Sequence, residues 1–175
     1  MNERIRRGRH VWKWTLAVVA VVAIIILLVS RFYGTVQAPR WNALDRAAAT
    51  AAELAGLLSV DEVERFIGDR PYSIVYGIDA EEVPVIVWLW EEDGIPGFHV
   101  ERQDAGVTRE TVRDASLAQR QGSHLLRVTA GKLGDNFVWE VFTEVEEAGG
   151  TRKYYDYYRF NDGAKIETYR LAIEG

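Results

Sequence analysis

Hydrophobic positions along the chain fall into three regimes: one unbroken apolar run, two stripes at helical spacing, and a series of short runs with period two. The unbroken run is Trp14 to Ser30, WTLAVVAVVAIIILLVS, 17 residues without a charge between Lys13 and Arg31. At 1.5 Å per residue it makes about 25 Å of helix, slightly short of the roughly 30 Å hydrocarbon layer of a bilayer. The flanks close the gap, because Lys13 and Arg31 can snorkel outward and Trp12, Trp14, Phe32 and Tyr33 carry rings suited to the two interfaces. This predicts a transmembrane helix over 14–34 that touches lipid through residues 14–30. A cleaved signal peptide competes with it. Against cleavage, the run is longer than the apolar core of such a peptide, and the small-residue site Val36-Gln37-Ala38 is followed by Pro39. Arg4, Arg6, Arg7 and Arg9 precede the run, so the positive-inside rule leaves residues 1–13 as a cytoplasmic basic tail and the rest of the chain outside.

Beyond the breaker Gln37 to Trp41, the residues Leu44, Ala47, Ala48, Ala51, Leu54, Ala55 and Leu58 recur along one helical face. Ser59-Val60-Asp61-Glu62 has the form of a capping box and predicts a second short helix, about Val60 to Ile67, stopped by Gly68 and Pro71. Three extended segments follow. Tyr72 to Asp79 alternates Tyr72, Ile74, Tyr76 and Ile78; Val83 to Trp90, VPVIVWLW, is apolar on both faces; a third lies around Phe98 to Arg102 after the turn Glu91-Glu92-Asp93-Gly94. After Asp104-Ala105-Gly106 the pattern restarts. Thr108 predicts the N-cap of a helix reaching about Arg120, with Val112, Ala115 and Ala118 as its apolar face and Gly122 as its end. Strands are predicted at about Ser123 to Ala130, Phe137 to Glu146, Arg152 to Phe160 and Ala164 to Ala172, joined by Gly/Asn/Asp turns. Helix plus antiparallel meander thus occurs twice. The implied fold is α+β, two tandem small domains at 35–104 and 105–175, each laying one helix across one sheet.

Composition narrows the functions open to such a body. With 48% apolar and 27% charged residues the chain is that of a folded protein, and its net charge of -5 hides an acidic body of about -9 behind the basic tail. A body of that sign repels phosphates, so nucleic acid is excluded as a partner. The absence of cysteine removes disulfides, thiolate metal sites and a cysteine nucleophile. His10, His99 and His124 lack a second ligand at metal spacing, and the acidic runs Asp79 to Glu82, Glu91 to Gly94 and Glu144 to Glu147 lack the alternation of a calcium loop. Ser73, Ser116 and Ser123 have no nucleophile context. No catalytic, metal or cofactor site is expected. The aromatics remain. Trp88 and Trp90 share one strand face, and Tyr155 and Tyr157 another, with Tyr154 and Tyr158 opposite; a face left uncovered by a helix would make them a partner-binding surface.

From about residue 105 the chain resembles a PepSY-like module: helix, strand, FVWEVFTE, KYYDYYRF, and a tight turn into KIETYR. Asp156 falls earlier than the family's aspartate, and Asn161-Asp162-Gly163-Ala164-Lys165 supplies the turn. The whole order of a basic tail, one span, an Ala-rich helix, VDEVERFIGDRPYSIVYGID, VPVIVWLW and this module is similar to the TseB-like cell wall elongation regulators of Gram-positive bacteria. The resemblance implies cystatin-like extracytoplasmic domains tethered to the cell membrane, without enzymatic activity or cofactor. It implies regulation of peptidoglycan elongation through an elongation-specific penicillin-binding transpeptidase. PepSY modules elsewhere imply an alternative, inhibition or folding assistance of an extracytoplasmic peptidase. No family residue role transfers onto a position of this chain.

Overall fold

A computed structural model describes Val19, residues 22–26 and residues 43–172. The expected membrane helix, with its interface residues Trp12, Lys13, Trp14, Arg31, Phe32 and Tyr33, lies almost wholly outside the described residues. Val19 and residues 22–26 are helical with exposed side chains, and among the described residues no helix is long and apolar enough to cross a membrane. From Leu44 onward the chain forms one compact unit.

That unit holds two four-stranded antiparallel sheets and two helices. Helix α1 covers residues 43–55. The first sheet is β1 (Ser59–Ile67), β2 (Pro71–Ile78), β3 (Pro84–Glu92) and β4 (Ile95–Arg102), paired in that order. A 3-10 turn, Gln103–Ala105, leads to α2 (Arg109–Gln119). The second sheet is β5 (His124–Leu133), β6 (Asn136–Glu147), β7 (Gly150–Arg159) and β8 (Lys165–Arg170), again paired in order. The tight turns work as their residues require: Asp93 and Gly94 take positive φ between β3 and β4, and Gly163 takes φ 69° before β8.

One expected helix is a strand. Ser59 to Ile67 pairs with β2 along its length, so the first sheet has four strands where three were expected. The register slips between Val60 and Glu62, and this bulge places Val60 and Val63 on the same face, opposite Gly77 and Val75. The capping box is not formed, and Glu62 turns instead toward Arg109 at 3.5 Å. Helix α2 also differs: its buried residues are Val112 and Ser116, while Ala115 and Ala118 are exposed.

Two cores result. Small side chains let α1 lie close on the first sheet, where Ala51 packs with Val75, Val85 and Val87. The other face of that sheet, Phe66, Ile74, Tyr76, Ile86 and Trp88, is buried against Val128, Ala130, Val138, Trp139 and Phe160 of the second half in one cluster. Trp88 sits at the junction, 4.8 Å from the Phe137 ring and 5.5 Å from Phe160, and its Nε1 donates to the Gly131 carbonyl at 2.9 Å. A Cβ at Gly131 would stand 2.5 Å from the Phe66 ring, so only glycine admits this approach.

Because one cluster serves both sheets, Trp88→Ala is expected to lower the unfolding free energy by roughly 3–5 kcal/mol in urea. Hydrogen exchange should show β6 amides losing protection together with those of β2; loosening confined to the first sheet would contradict a shared core.

Candidate functional site

A cleft of about 370 Å3 opens between the first sheet and the start of α2. The Thr108 hydroxyl accepts the Thr111 N–H at 3.2 Å and so fixes where α2 begins. Arg109, the first helical residue, is thereby carried into the cleft. Its guanidinium lies over the Tyr76 ring at 4.8 Å and the Trp139 ring at 5.8 Å, with Nη2 3.3 Å from Glu64 and 3.5 Å from Glu62. The Tyr76 hydroxyl donates to Glu64 at 2.9 Å and accepts the Ala130 N–H at 3.2 Å. One chain of bonds therefore ties α2, β1, β2 and β5 together. Burial pushes the Glu64 carboxyl above its ordinary pKa, opposed by Arg109 and by the Tyr76 bond. Asp61, Glu62 and Glu110 add acidic groups to the lining. The cleft joins an arginine, carboxylates and two aromatic rings, and Thr108, the only hydroxyl-bearing aliphatic side chain in its lining, is occupied as the helix cap.

A second polar centre lies in the other half. Asp156, with no solvent exposure, accepts Ser116 Oγ at 2.8 Å, Arg120 Nη1 at 2.8 Å and Nη2 at 3.2 Å, Lys165 Nζ at 2.8 Å and Thr168 Oγ1 at 2.6 Å. Burial alone would raise its pKa, but these bonds outweigh it and hold the carboxyl well below the usual range. The Arg120 guanidinium also covers the Tyr154 ring at 3.9 Å. A lone carboxylate inside the tyrosine run KYYDYYRF was the available signal for this centre. Arg109 offered none, since its carboxylate partners lie 45 and 47 residues away in sequence.

The four expected aromatic surface residues do not form one surface. Trp88 is fully buried in the junction, because the second half covers the sheet face that was expected to lie open. Trp90 is half-buried, its ring edge-on to Tyr72 at 6.0 Å. Tyr157 is 7% exposed and donates to Glu140 at 2.8 Å. Tyr155 is half-buried, stacked on Phe142 at 4.2 Å. Contacts of α2 with Asp156 place Tyr154 and Tyr158 on the helix side of the second sheet and Tyr155 and Tyr157 on the opposite side. There Phe142, Tyr155 and Tyr169 stand directly opposite one another across β6, β7 and β8. His99 stacks on Phe137 at 4.1 Å, and His124 is exposed. Among the described residues no cluster of three or more His, Cys, Asp or Glu could hold a metal ion.

Residues 46–89, which run from α1 into β3, match the family model described as cell wall elongation regulator TseB-like domain. A relative from Bacillus subtilis (strain 168), described as "Probable cell wall elongation regulator TseB", is 27% identical over 143 residues, 78% of this chain and 85% of the relative. Both likenesses are to TseB-like cell wall elongation regulators. Among solved structures, "YpmB protein from Bacillus subtilis" has a TM-score of 0.61 at 22% identity, over 72% of this chain and 96% of that one, a likeness of fold. The TseB-like match contains Glu62 and Tyr76 of the cleft and the adjoining Glu64, while Arg109 and Trp139 lie beyond it.

Removing Asp156 strands two cations, so Asp156→Ala is expected to cost about 3–5 kcal/mol in urea unfolding. A depressed carboxyl pKa contributes stability that is complete above the unfolded value near 4 and lost as pH falls toward the lower folded value, so this contribution should fade only below about pH 4. Glu64 acts in the opposite sense. Its raised pKa means that the folded state binds the proton more readily, so stability should fall as pH rises through the window just above about 4.3, and Glu64→Gln should flatten that segment of the curve. An unchanged segment in Glu64→Gln would show that another group titrates there.

Proposed function

We propose that the chain is a membrane-anchored, extracytoplasmic and non-enzymatic regulator of cell wall elongation that works by touching a penicillin-binding transpeptidase. The observation that carries this reading is the similarity to a probable cell wall elongation regulator across 78% of the chain, joined to a family match over residues 46–89. The apolar run Trp14 to Ser30 with its basic leader supplies the anchor and the orientation, the tail in the cytoplasm and the body outside. The body would then act as a pair of PepSY-like modules, 35–104 and 105–175, in which binding takes the place of chemistry. Phe142, Tyr155 and Tyr169 are the contact surface that fits this role. They form an aromatic row on the side of the second sheet away from α2, and Tyr169 is 48% exposed.

A photo-crosslinking residue at 155 or 169 of the full chain, in the membrane of its own host, is expected to capture a cell wall transpeptidase. Tyr169→Ala should lower capture at 155 by about tenfold, the loss of one interfacial aromatic anchor. Recovery of no cell wall enzyme from any surface position would defeat the reading.

A further inference from the structure

The four sheet edges are not alike. Beyond the end of β1, Gly68 lies so close to β5 that a Cβ would stand 2.3 Å from the Lys132 carbonyl, so these two edges touch at that end. The β4 edge carries Pro96, which cannot donate to an added strand. Among the described residues the β8 edge has neither cover nor proline. All six of its residues, KIETYR, are exposed, with Ile166 at 39% and Tyr169 at 48%. Edges of this kind are templates for another strand unless something blunts them.

The direction of the open backbone follows from the ladder. Leu171 donates its N–H to the Lys153 carbonyl at 2.9 Å, so in an antiparallel pair the N–H and C=O of Tyr169 also face β7, and those of Thr168 and Arg170 face away. The strand is held rigidly from its inner side, because Thr168 and Lys165 are both bonded to the buried Asp156. An edge fixed before binding loses little conformational entropy when a second strand joins it. Charge selects the occupant. Lys165 is paired with Asp156 and Arg170 lies 3.4 Å from Glu147, whereas Glu167 takes the Tyr169 hydroxyl and has no ion pair among the described residues.

We infer that β8 is a strand-addition site for an extended segment of a partner protein, one with an apolar residue opposite Tyr169 and a lysine or arginine two positions away opposite Glu167. Main-chain bonds to Thr168 and Arg170 supply affinity, and the two side-chain positions supply selection. The apolar residue would extend the row Phe142, Tyr155, Tyr169 by one strand. The inference rests on the proposed contact function and specifies how the contact is made.

The test uses the full chain in detergent, titrated with synthetic heptapeptides that alternate valine with a variable position, in a lysine-bearing and a glutamate-bearing series. Amide exchange is followed by NMR. With lysine peptides at ten times their Kd, exchange at Thr168 and Arg170 should slow about tenfold, with Tyr169 unchanged. Arg170→Pro removes one outward N–H without touching the β7 ladder and should abolish the effect; Arg170→Ala, which keeps the N–H, should preserve it. Unchanged β6 exchange in both variants certifies their folding. No slowing with either series overturns the site, and equal slowing with both overturns the basic partner. Protection of Thr168 and Arg170 that appears without peptide and fades on dilution would assign the edge to a second copy, and overturn the proposal likewise. None of these outcomes depends on transpeptidase capture, so the two readings can fail separately.

Discussion

Each half of the body has one short helix and a four-stranded sheet with two faces to cover. In the first half α1 covers only the side lined by Val75, Val85 and Val87. The other side bears Ile74, Tyr76, Ile86 and Trp88, and leaving such large apolar groups in water would cost about 1.5–3 kcal/mol for each. The second half answers this by placing β5, Phe137, Trp139 and Phe160 against that face. A repeat that reads as two separate modules in sequence therefore shares its largest core. The close approach at Gly131, the Trp88 bond to its carbonyl and the Tyr76 bond to the Ala130 N–H all follow from that shared burial.

The second sheet meets the problem differently. Helix α2 is mostly polar, and only Val112 and Ser116 are buried, so it cannot cover its sheet by apolar packing alone. A buried ion cluster takes the place of the missing apolar contact. Asp156 receives Ser116 from α2, Arg120 from the cap that ends it, and Thr168 and Lys165 from β8, joining helix, middle strand and edge strand through a single carboxylate. Buried ion pairs seldom add net stability over apolar packing of the same shape, but they punish misplacement, since each partner left alone is costly. The centre thus defines the register of β8, a strand that has a neighbour on one side only.

What could be read from the sequence follows the same physics. Local signals were sound: the Thr108 cap, the Asn161-Asp162-Gly163 turn and the alternation in β2 and β7 all depend on neighbours within a few residues. Signals failed where a distant partner decided the outcome. The strand Ser59–Ile67 read as a helix because Ser59-Val60-Asp61-Glu62 has the form of a capping box, and only pairing with β2 decides for a strand. Trp88 read as a surface residue because nothing local says that a second sheet will cover it. The alternation in KYYDYYRF correctly divided the tyrosines between two faces, while the side facing α2 became visible only through the bonds of Asp156.

These constraints also bear on what kind of regulator such a body can be. The seam between the halves is closed by Trp88 and bonded through Arg109, Glu64, Tyr76 and Ala130, so a hinge there would have to break the main core and strand buried polar groups together. A body built this way is poorly suited to signalling by opening. It is well suited to presenting a fixed surface, and its exposed edge strand and neighbouring aromatic row lie in the sheet whose register Asp156 fixes. Regulation by contact then needs no moving part within the body, because binding and release of the partner are themselves the change of state.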